Sequence, residues 1–266
     1  MKAIILAAGM ARRFGEFLGG RPKCLLDIDG VSLLHRQARL LRSFGITDLV
    51  VVRGFNAQAI EVPGARYYLN PDFERTNMVH SLFCAERELS DDVLIAYADI
   101  LYDKESLSRI LAPTQDHILV AVDMNWETYY RSRYGDPFSE AESLVLEPDN
   151  RITEIGDGAP PRAKIQAQYI GLIRLRDQGT TLFGSYYRRF ADQFQNSEWL
   201  RGRPFNKAHM TDFLQGLINE GVRVQGIPIQ GGWLEFDTPT DYEKVKAWQA
   251  AGTLDQFCRL QSIAPP

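Results

Sequence analysis

Four short apolar segments in the first half of the chain restrict the fold more than any other feature of the sequence. They are Ala3–Ala8, Leu49–Val52, Val93–Ala98 and Ile118–Val122. Each has the length of a strand, is rich in Val, Ile or Leu and does not alternate with polar residues, which is typical of strands buried on both faces. Segments with helical periodicity lie between them. This order predicts right-handed βαβ units in a mostly parallel sheet.

The second half of the chain has a different pattern from about residue 138 onward. The segments Ala141–Glu147, Arg151–Ile155 and Ile165–Leu175 are β-rich or alternating, and turn residues separate them. They predict antiparallel strands added to the parallel core. The expected fold class is therefore α/β, with a Rossmann-like sheet and helices on both of its faces. Because no linker, repeat or low-complexity tract is visible, we predict a single domain over residues 1–266.

Charge and cysteine content disfavour several classes of protein. The 266 residues include 30 Lys and Arg against 34 Asp and Glu, a net charge of −4, which gives no support to a nucleic-acid or membrane-surface partner. The three cysteines are far apart, so neither a disulfide framework nor a zinc site is expected. No apolar run approaches the roughly 18 residues of a membrane span. These features predict a cytoplasmic protein that acts on small molecules.

The loop after the first apolar segment carries the strongest indication of chemistry. Leu6–Phe14 reads LAAGMARRF, and Arg12, Arg13, Arg21 and Lys23 place four cations close together. In an open α/β sheet, ligands bind beyond the carboxyl ends of the strands, and small residues let backbone N–H groups approach phosphate oxygens. The loop is neither a Walker A motif nor a dinucleotide fingerprint. It predicts a site for a polyanion, with a small-residue turn and solvated arginines as the alternative.

This opening resembles that of the nucleotidyltransferase superfamily that activates sugar phosphates, phosphocholine and phosphonates. The family pattern is L-A-A-G-x-G-x-R-[LF], followed by P-K-x-L. Nine residues fall on it: Leu6, Ala7, Ala8, Gly9, Arg13, Phe14, Pro22, Lys23 and Leu25. The resemblance implies that the first four line the nucleotide, and that Arg13 and Lys23 neutralise its phosphates in catalysis. The family usually has Gly at position 11, and because this chain has Ala11 we expect a slightly altered loop that still binds.

Two aspartates far apart in the sequence match the metal ligands of this family. Asp99 closes the third apolar segment, and Asp237 lies in a late segment that resembles the pattern W-x-[DE]-[IV]-D. A lone aspartate at a strand end is more often a turn former, but a nucleoside triphosphate requires Mg²⁺ held by carboxylates. The resemblance therefore implies Mg²⁺ as cofactor, held by Asp99 and Asp237. Asp241 is expected to cap the last helix, and Glu235 to face the acceptor or solvent.

Further residues are candidates for contacts to the nucleotide and to the acceptor. Asn77 and Ser81 are four apart at a predicted helix start, and the resemblance places them, with Tyr97, beside the nucleotide; a helix cap and a tolerated serine are the alternative. The acceptor candidates lie further along the chain: Trp126, Arg131, Arg133, Glu142 and Lys164. Basic residues there suit an acceptor phosphate and an indole suits an alkyl or ammonium group, with solvated arginines and a core tryptophan as the alternative.

The resemblance is tightest to cytidylyltransferases of the phosphocholine, phosphonate and phosphoglutamine type. It implies an enzyme that couples CMP from CTP to a small phosphate- or phosphonate-bearing acceptor and releases pyrophosphate. A nucleotide-binding half of about residues 1–125 would precede an acceptor-binding half of about 126–266. Two alternatives stay open: a sugar-1-phosphate nucleotidyltransferase that uses UTP or another NTP, and a catalytically silent nucleotide-binding regulatory protein. Leu254–Leu260 is expected to pack on the chain's own core or on a partner.

Overall fold

The structure is a computed structural model that describes residues 1–195 and 197–260. Its strands are β1 (Lys2–Ala7), β2 (Asp27–Ile28), β3 (Val31–Ser32), β4 (Asp48–Arg53), β5 (Arg66–Leu69), β6 (Asp92–Tyr97), β7 (Ile100–Tyr102), β8 (Ile118–Asp123), β9 (Leu144–Leu146), β10 (Ile152–Ile155), β11 (Gln168–Arg176), β12 (Gln225–Ile229) and β13 (Trp233–Glu235). Its helices are α1 (Leu33–Ser43), α2 (Met78–Phe83), α3 (Lys104–Leu111), α4 (Trp126–Tyr134), α5 (Gln178–Gln193), α6 (Met210–Asn219) and α7 (Pro239–Ala250).

Seven strands form one central sheet in the order β12-β8-β11-β6-β1-β4-β5. Strand β1 lies between β4 and β6 and runs parallel to both, so Ile4 pairs with Val50 on one side and with Ile95 on the other. Strand β11 is antiparallel and is inserted between β6 and β8. The α/β fold class with a mostly parallel sheet and additional antiparallel strands is thereby confirmed.

The strand directions bring several strand ends to one edge of the sheet. Strands β1 and β6 are parallel, β11 is antiparallel to both β6 and β8, and β12 is parallel to β8. Therefore β1, β6, β8 and β12 all point their carboxyl ends to the same edge. The first loop and Asp99 follow directly after two of these strands. The topology alone thus places distant segments of the chain beside one another.

Both faces of the sheet are covered, because the central strands are apolar on both sides. On one face, Ser32 caps α1 by accepting a hydrogen bond from the His35 backbone N–H, and the helix buries Leu33, Leu34 and Leu41. On the other face, α5 and α6 pack through Phe183 and other aromatic residues. Among the described residues, no helix is both long enough and apolar enough to cross a bilayer.

Three segments differ from the periodicity of the sequence. The helical pattern over 77–89 becomes α2 plus a separate 3-10 turn at Glu86–Glu88, because Glu88 turns inward to accept hydrogen bonds from Arg66 and Lys2. The pattern over 101–111 begins with β7 before Asp103 caps α3. Helix α4 was not predicted. The described part of the C-terminal segment packs on the chain's own core.

Candidate active site

A cleft of about 530 Å³ opens at the carboxyl edge of the sheet. It is lined by residues from the first loop, from the ends of β6 and β13, from α4, and from the segments around β11 and α6. They are Ala11, Arg12, Arg13, Lys23, Met78, Tyr97, Asp99, Tyr130, Tyr134, Glu140, Glu142, Ser143, Ile155, Gln168, Tyr169, Ile170, Gly171, His209, Met210, Thr211, Glu235 and Asp237. The cleft therefore draws on both halves of the chain.

Four of the charged residues predicted from the sequence meet at this cleft. The Lys23 ammonium lies 2.7 Å from Asp99 Oδ2 and 3.3 Å from Asp237 Oδ1. The Arg13 guanidinium lies 2.9 Å from the same Asp237 oxygen. Lys23 and Asp237 are largely buried, whereas Arg13 is mostly exposed. The cluster thus combines an enclosed cation, Lys23, with an exposed cation, Arg13, that an entering polyanion can contact.

Backbone hydrogen bonds explain why these residues converge. The Ala98 N–H donates to the Leu6 carbonyl (3.1 Å), which joins the end of β6 to the end of β1. The Phe236 N–H donates to the Asp99 carbonyl (3.0 Å), which fixes the residue before Asp237 against Asp99. These two backbone hydrogen bonds bring the carboxylates of Asp99 and Asp237 together, although 138 positions separate the two residues in the sequence.

Electrostatic interactions within the cluster favour the protonated form of Lys23 and the ionised form of Asp237. Burial would lower the pKa of Lys23, but the neighbouring charges of Asp99 and Asp237 outweigh it and raise that pKa. Burial would raise the pKa of Asp237, yet Lys23, Arg13 and Arg133 together lower it. Burial and the adjacent Asp237 charge raise the pKa of Glu235 to about 7. Of Glu235 and Asp237, Asp237 is therefore the carboxylate that is ionised at neutral pH.

The residues of the cluster fit a divalent cation. Asp99 Oδ1 is buried and has no hydrogen-bond partner, so this carboxylate has an oxygen available for a further ligand. Carboxylate oxygens are the ligands that Mg²⁺ prefers, and it usually takes only one or two of them from the protein. Over residues 1–195 and 197–260, no group of three or more His, Cys, Asp or Glu side chains forms a preformed metal centre. A cation here would rely on Asp99, Asp237 and the ligand's own oxygens.

The first loop borders a second, smaller cavity of about 90 Å³ that adjoins the cluster. Its lining includes Leu6, Ala7, Gly9 and Ala11. Ala8 does not belong to that lining, and its carbonyl accepts a hydrogen bond from the Phe55 backbone N–H (3.1 Å). Ala11 adopts a left-handed conformation with φ 52° and ψ 45°. Because that conformation favours glycine, this chain holds the loop in a glycine-like shape with an alanine.

The structure separates the three residues predicted beside the nucleotide. Tyr97 lines the cleft. Asn77 caps α2 by accepting a hydrogen bond from the Met78 N–H (2.8 Å), which is the alternative noted for it. Ser81 is 5% exposed and accepts a hydrogen bond from Asn70 (2.9 Å) inside the protein. The prediction that Ser81 contacts the nucleotide is corrected, because its hydroxyl is enclosed by protein; Met78 faces the cleft in its place.

Of the five acceptor candidates, the structure places one on the lining of the cleft. Glu142 lines it, and burial raises the pKa of this carboxyl. Trp126 is 5% exposed and packs edge-on against Tyr130 and Phe138, so its predicted contact with the acceptor is corrected. Two further candidates are cations at the protein surface, and they pair with neighbouring carboxylates outside the cleft. These pairs are Arg131 with Glu127 and Lys164 with Glu154.

The fifth candidate, Arg133, lies beneath the floor of the cleft. Its side chain is 1% exposed and forms ion pairs with Asp241 (2.7 Å), Asp237 (3.3 Å) and Glu235. A guanidinium so enclosed cannot touch a substrate, and its assignment to the acceptor is corrected for that reason. Asp241 also accepts the Thr238 N–H (2.7 Å) at the start of α7, which confirms its expected capping role.

Two tyrosines of α4 that line the cleft were not identified from the sequence. Tyr130 and Tyr134 come from α4, where their four-residue spacing was the available signal. Tyr169 lies at an irregularity of β11, where the register with β8 shifts between Tyr169 and Ile173. Gly171 lies within this shift at φ 85°, and a Cβ there would come within 2.7 Å of the Tyr97 ring. The bulge therefore lies beside the end of β6, where Tyr169 and Tyr97 both line the cleft.

Comparison with known proteins identifies relatives of the same architecture. The sequence-family model of the MobA-like NTP transferase domain matches residues 3–144 of this chain. A CTP:phosphoglutamine cytidylyltransferase of Campylobacter jejuni is 30% identical over 91% of this chain and 98% of its own. A choline-phosphate cytidylyltransferase of Streptococcus pneumoniae is 29% identical over 57% of this chain and 67% of its own. The solved CTP:phosphocholine cytidylyltransferase from Streptococcus pneumoniae shares the fold, with a TM-score of 0.71 at 20% identity over 93% of this chain and 98% of its own.

Proposed function

The chain belongs to the MobA-like NTP transferase family, and we propose that it is a CTP-dependent cytidylyltransferase for a small phosphate- or phosphonate-bearing acceptor. An acceptor oxygen attacks the α-phosphorus of CTP. The new bond joins that oxygen to the α-phosphorus, and the bond from the α-phosphorus to the bridging β-phosphate oxygen breaks. The products are the CMP-activated acceptor and pyrophosphate. No protein nucleophile is needed for this single displacement.

The observation that carries this proposal is the cluster formed by Lys23, Arg13, Asp99 and Asp237. It provides two cations and two carboxylates at one end of a cleft large enough for a ligand. Phosphoryl transfer depends on positioning and on charge neutralisation, and these groups supply both. The relatives named above, which are cytidylyltransferases by name, support CTP as the nucleotide.

Each charged group has a distinct task in this reaction. Lys23 and Arg13 neutralise the phosphates and orient the α-phosphorus. Asp99 and Asp237 would hold Mg²⁺, which when bound neutralises further phosphate charge. The chain at Leu6, Ala7 and Gly9 borders the smaller cavity, which supports this loop as the part of the protein that contacts the nucleotide.

We assign the acceptor to the part of the cleft that the second half of the chain lines. Glu142 and the tyrosines of α4 and β11 belong to that lining. A nucleotide-binding half of about residues 1–125 and an acceptor-binding half of about 126–266 are part of this proposal, with Asp237 as the metal ligand from the second half. Glu142 and Tyr169 are the candidates to contact the part of the acceptor that does not react.

A pyrophosphate-release assay with each of the four NTPs and a panel of acceptors tests the proposal. The panel contains aminoethylphosphonate, phosphocholine, phosphoglutamine and hexose 1-phosphates, each with Mg²⁺. We expect acceptor-dependent release from CTP, lost in Arg13→Ala and retained in Arg131→Ala, which removes a surface arginine outside the cleft. Release from UTP with a hexose 1-phosphate would support the sugar-phosphate alternative. No release with any pair would support the silent alternative.

A further inference from the structure

A buried arginine beneath the cleft, Arg133, connects three carboxylates. Arg133 donates two hydrogen bonds to Asp241, at 2.7 and 3.1 Å, one to Asp237 at 3.3 Å and one to Glu235. Its aromatic neighbour Tyr134 lies against the guanidinium, 4.8 Å from ring centroid to Cζ. The three carboxylates come from the end of β13 (Glu235), from the segment that follows it (Asp237) and from the first turn of α7 (Asp241). One guanidinium therefore holds this whole turn.

The two oxygens of Asp237 have different partners. Oδ1 faces the cleft and contacts Lys23 and Arg13. Oδ2 faces the interior and accepts the hydrogen bond from Arg133. Because a carboxylate is planar, fixing Oδ2 from below also fixes the direction of Oδ1. The orientation of Asp237 toward the cleft thus depends on a group that no ligand can reach.

This arrangement is poorly explained by stability alone. Removing a guanidinium and three carboxylates from water carries a large desolvation penalty, and well-packed apolar residues in such places are often as stable or more so. The planar fork of arginine, however, fixes several carboxylate oxygens at once, which an apolar side chain cannot do. The gain from the cluster is geometric.

We propose that Arg133 is a positioning residue that sets the orientation of Asp237 and, through it, of Lys23. It acts from beneath the cleft without touching the substrate. The role in catalysis rests on the function proposed above, whereas the effect on Lys23 is a property of the protein by itself. The two parts can therefore be measured separately.

The test compares Arg133→Lys with Arg174→Lys. Arg133→Met would leave Asp241 and Glu235 without the cation that they share, so the lysine variant, which keeps the charge and loses the fork, is the sharper choice. Arg174 is the matched control: it is also buried and pairs through a fork with Asp92, at 2.9 and 2.8 Å, but at the opposite end of β6. All proteins are assayed at a temperature at which thermal unfolding shows them to be folded.

Two experiments are carried out on each protein. The first measures kcat and the KM for CTP with the best acceptor. The second measures the rate at which acetic anhydride labels Lys23 without nucleotide, determined by mass spectrometry relative to the exposed Lys104. For Arg133→Lys we expect kcat to fall about ten- to a hundredfold with the KM for CTP nearly unchanged, and Lys23 to be labelled several times faster. For Arg174→Lys we expect neither change.

The outcomes distinguish the two proposals. If the parent turns over CTP and Arg133→Lys keeps the parent kcat, or matches Arg174→Lys in both measurements, Arg133 is only structural and the inference is overturned. If the parent shows no turnover, the proposed function fails, and the labelling of Lys23 alone decides: faster labelling in Arg133→Lys supports the positioning role, and an unchanged rate overturns it.

Discussion

At the scale of single residues, Lys23 is the group whose surroundings most directly indicate a role in catalysis. It is largely enclosed, lies between two carboxylates and has a raised pKa caused by them, so it stays charged at neutral pH. We expect Lys23→Ala to lower kcat about a hundredfold, which corresponds to about 3 kcal/mol, with a smaller change in CTP affinity. Lys23→Arg should recover only part of the rate, because a planar fork does not occupy the position of an ammonium.

Steady-state kinetics and CTP titration of both variants check this prediction. Arg21→Ala serves as the control, since Arg21 belongs to the same loop but donates to the Leu18 carbonyl rather than to the cluster. Parent-like kinetics in both Lys23 variants would remove Lys23 from the reaction.

Ala11 gives a second prediction at this scale. An alanine at φ 52° bears a strain of about 1–2 kcal/mol that glycine avoids, while glycine costs about 0.4–1 kcal/mol through the unfolded chain. We therefore expect Ala11→Gly to raise the free energy of unfolding by up to about 1 kcal/mol. Ala247→Gly, in the exposed interior of α7, should lower it by about 1 kcal/mol. Urea unfolding measures both, and equal losses in the two variants would contradict the strain at position 11.

The sequence was informative for the charged site residues that lie on a family pattern. Arg13, Lys23, Asp99 and Asp237 were predicted through that resemblance, and the structure brings their side chains into one cluster. Ser81 could not be assigned correctly in this way, because its burial depends on Asn70, a residue of another segment. The same limit applied to Trp126 and Arg133, since a sequence does not show which face of an unrecognised helix is turned inward.

At the scale of elements, strands were easier to predict than helices. The four apolar runs became β1, β4, β6 and β8 because strands buried on both faces leave a continuous apolar signal. Helix α4 left no such signal: its buried residues include tyrosines and an arginine, which do not mark an apolar stripe. Strand β5 was also missed, since this edge strand is only partly buried and begins with a charged residue.

The edge of the sheet gives a prediction on pH. Glu88 joins its 3-10 turn to β1 and β5 through Lys2, Arg66 and Tyr68. Burial would raise the pKa of Glu88, but hydrogen bonds from these three partners lower it to about 2. A carboxyl whose pKa is lower in the folded state contributes stability above its unfolded value of 4.5, and loses it as the pH falls toward 2.

We therefore expect Glu88→Gln to lower the free energy of unfolding by about 1–2 kcal/mol at pH 7, allowing for solvent screening of the half-exposed Arg66. The difference from the parent should shrink between pH 4.5 and pH 2. Urea unfolding across this range checks it, with Glu105→Gln on the exposed face of α3 as the control. A difference that does not change with pH would show that Glu88 contributes through packing and not through its charge.

At the scale of the whole molecule, the first loop and the second half of the chain form one cleft. The groups that we propose for nucleotide binding lie at the ends of β1 and β6, and the second half adds Glu142, Tyr169 and Asp237 to the lining. The antiparallel β11 makes this possible, because it lies next to β6 and places its bulge at the same edge. The relative arrangement of these groups could not be read from the sequence, since it depends on where β11 enters the sheet.

The central claim is that an oxygen of the acceptor forms the new bond to the α-phosphorus of CTP. The most direct test supplies the best acceptor of the panel with ¹⁸O in its terminal phosphate or phosphonate oxygens, together with CTP and Mg²⁺, and follows the label by ³¹P NMR. The account predicts one ¹⁸O in the new P–O–P bridge of the product and unlabelled pyrophosphate. A product whose bridge lacks the label, or release of ¹⁸O into pyrophosphate, would contradict it.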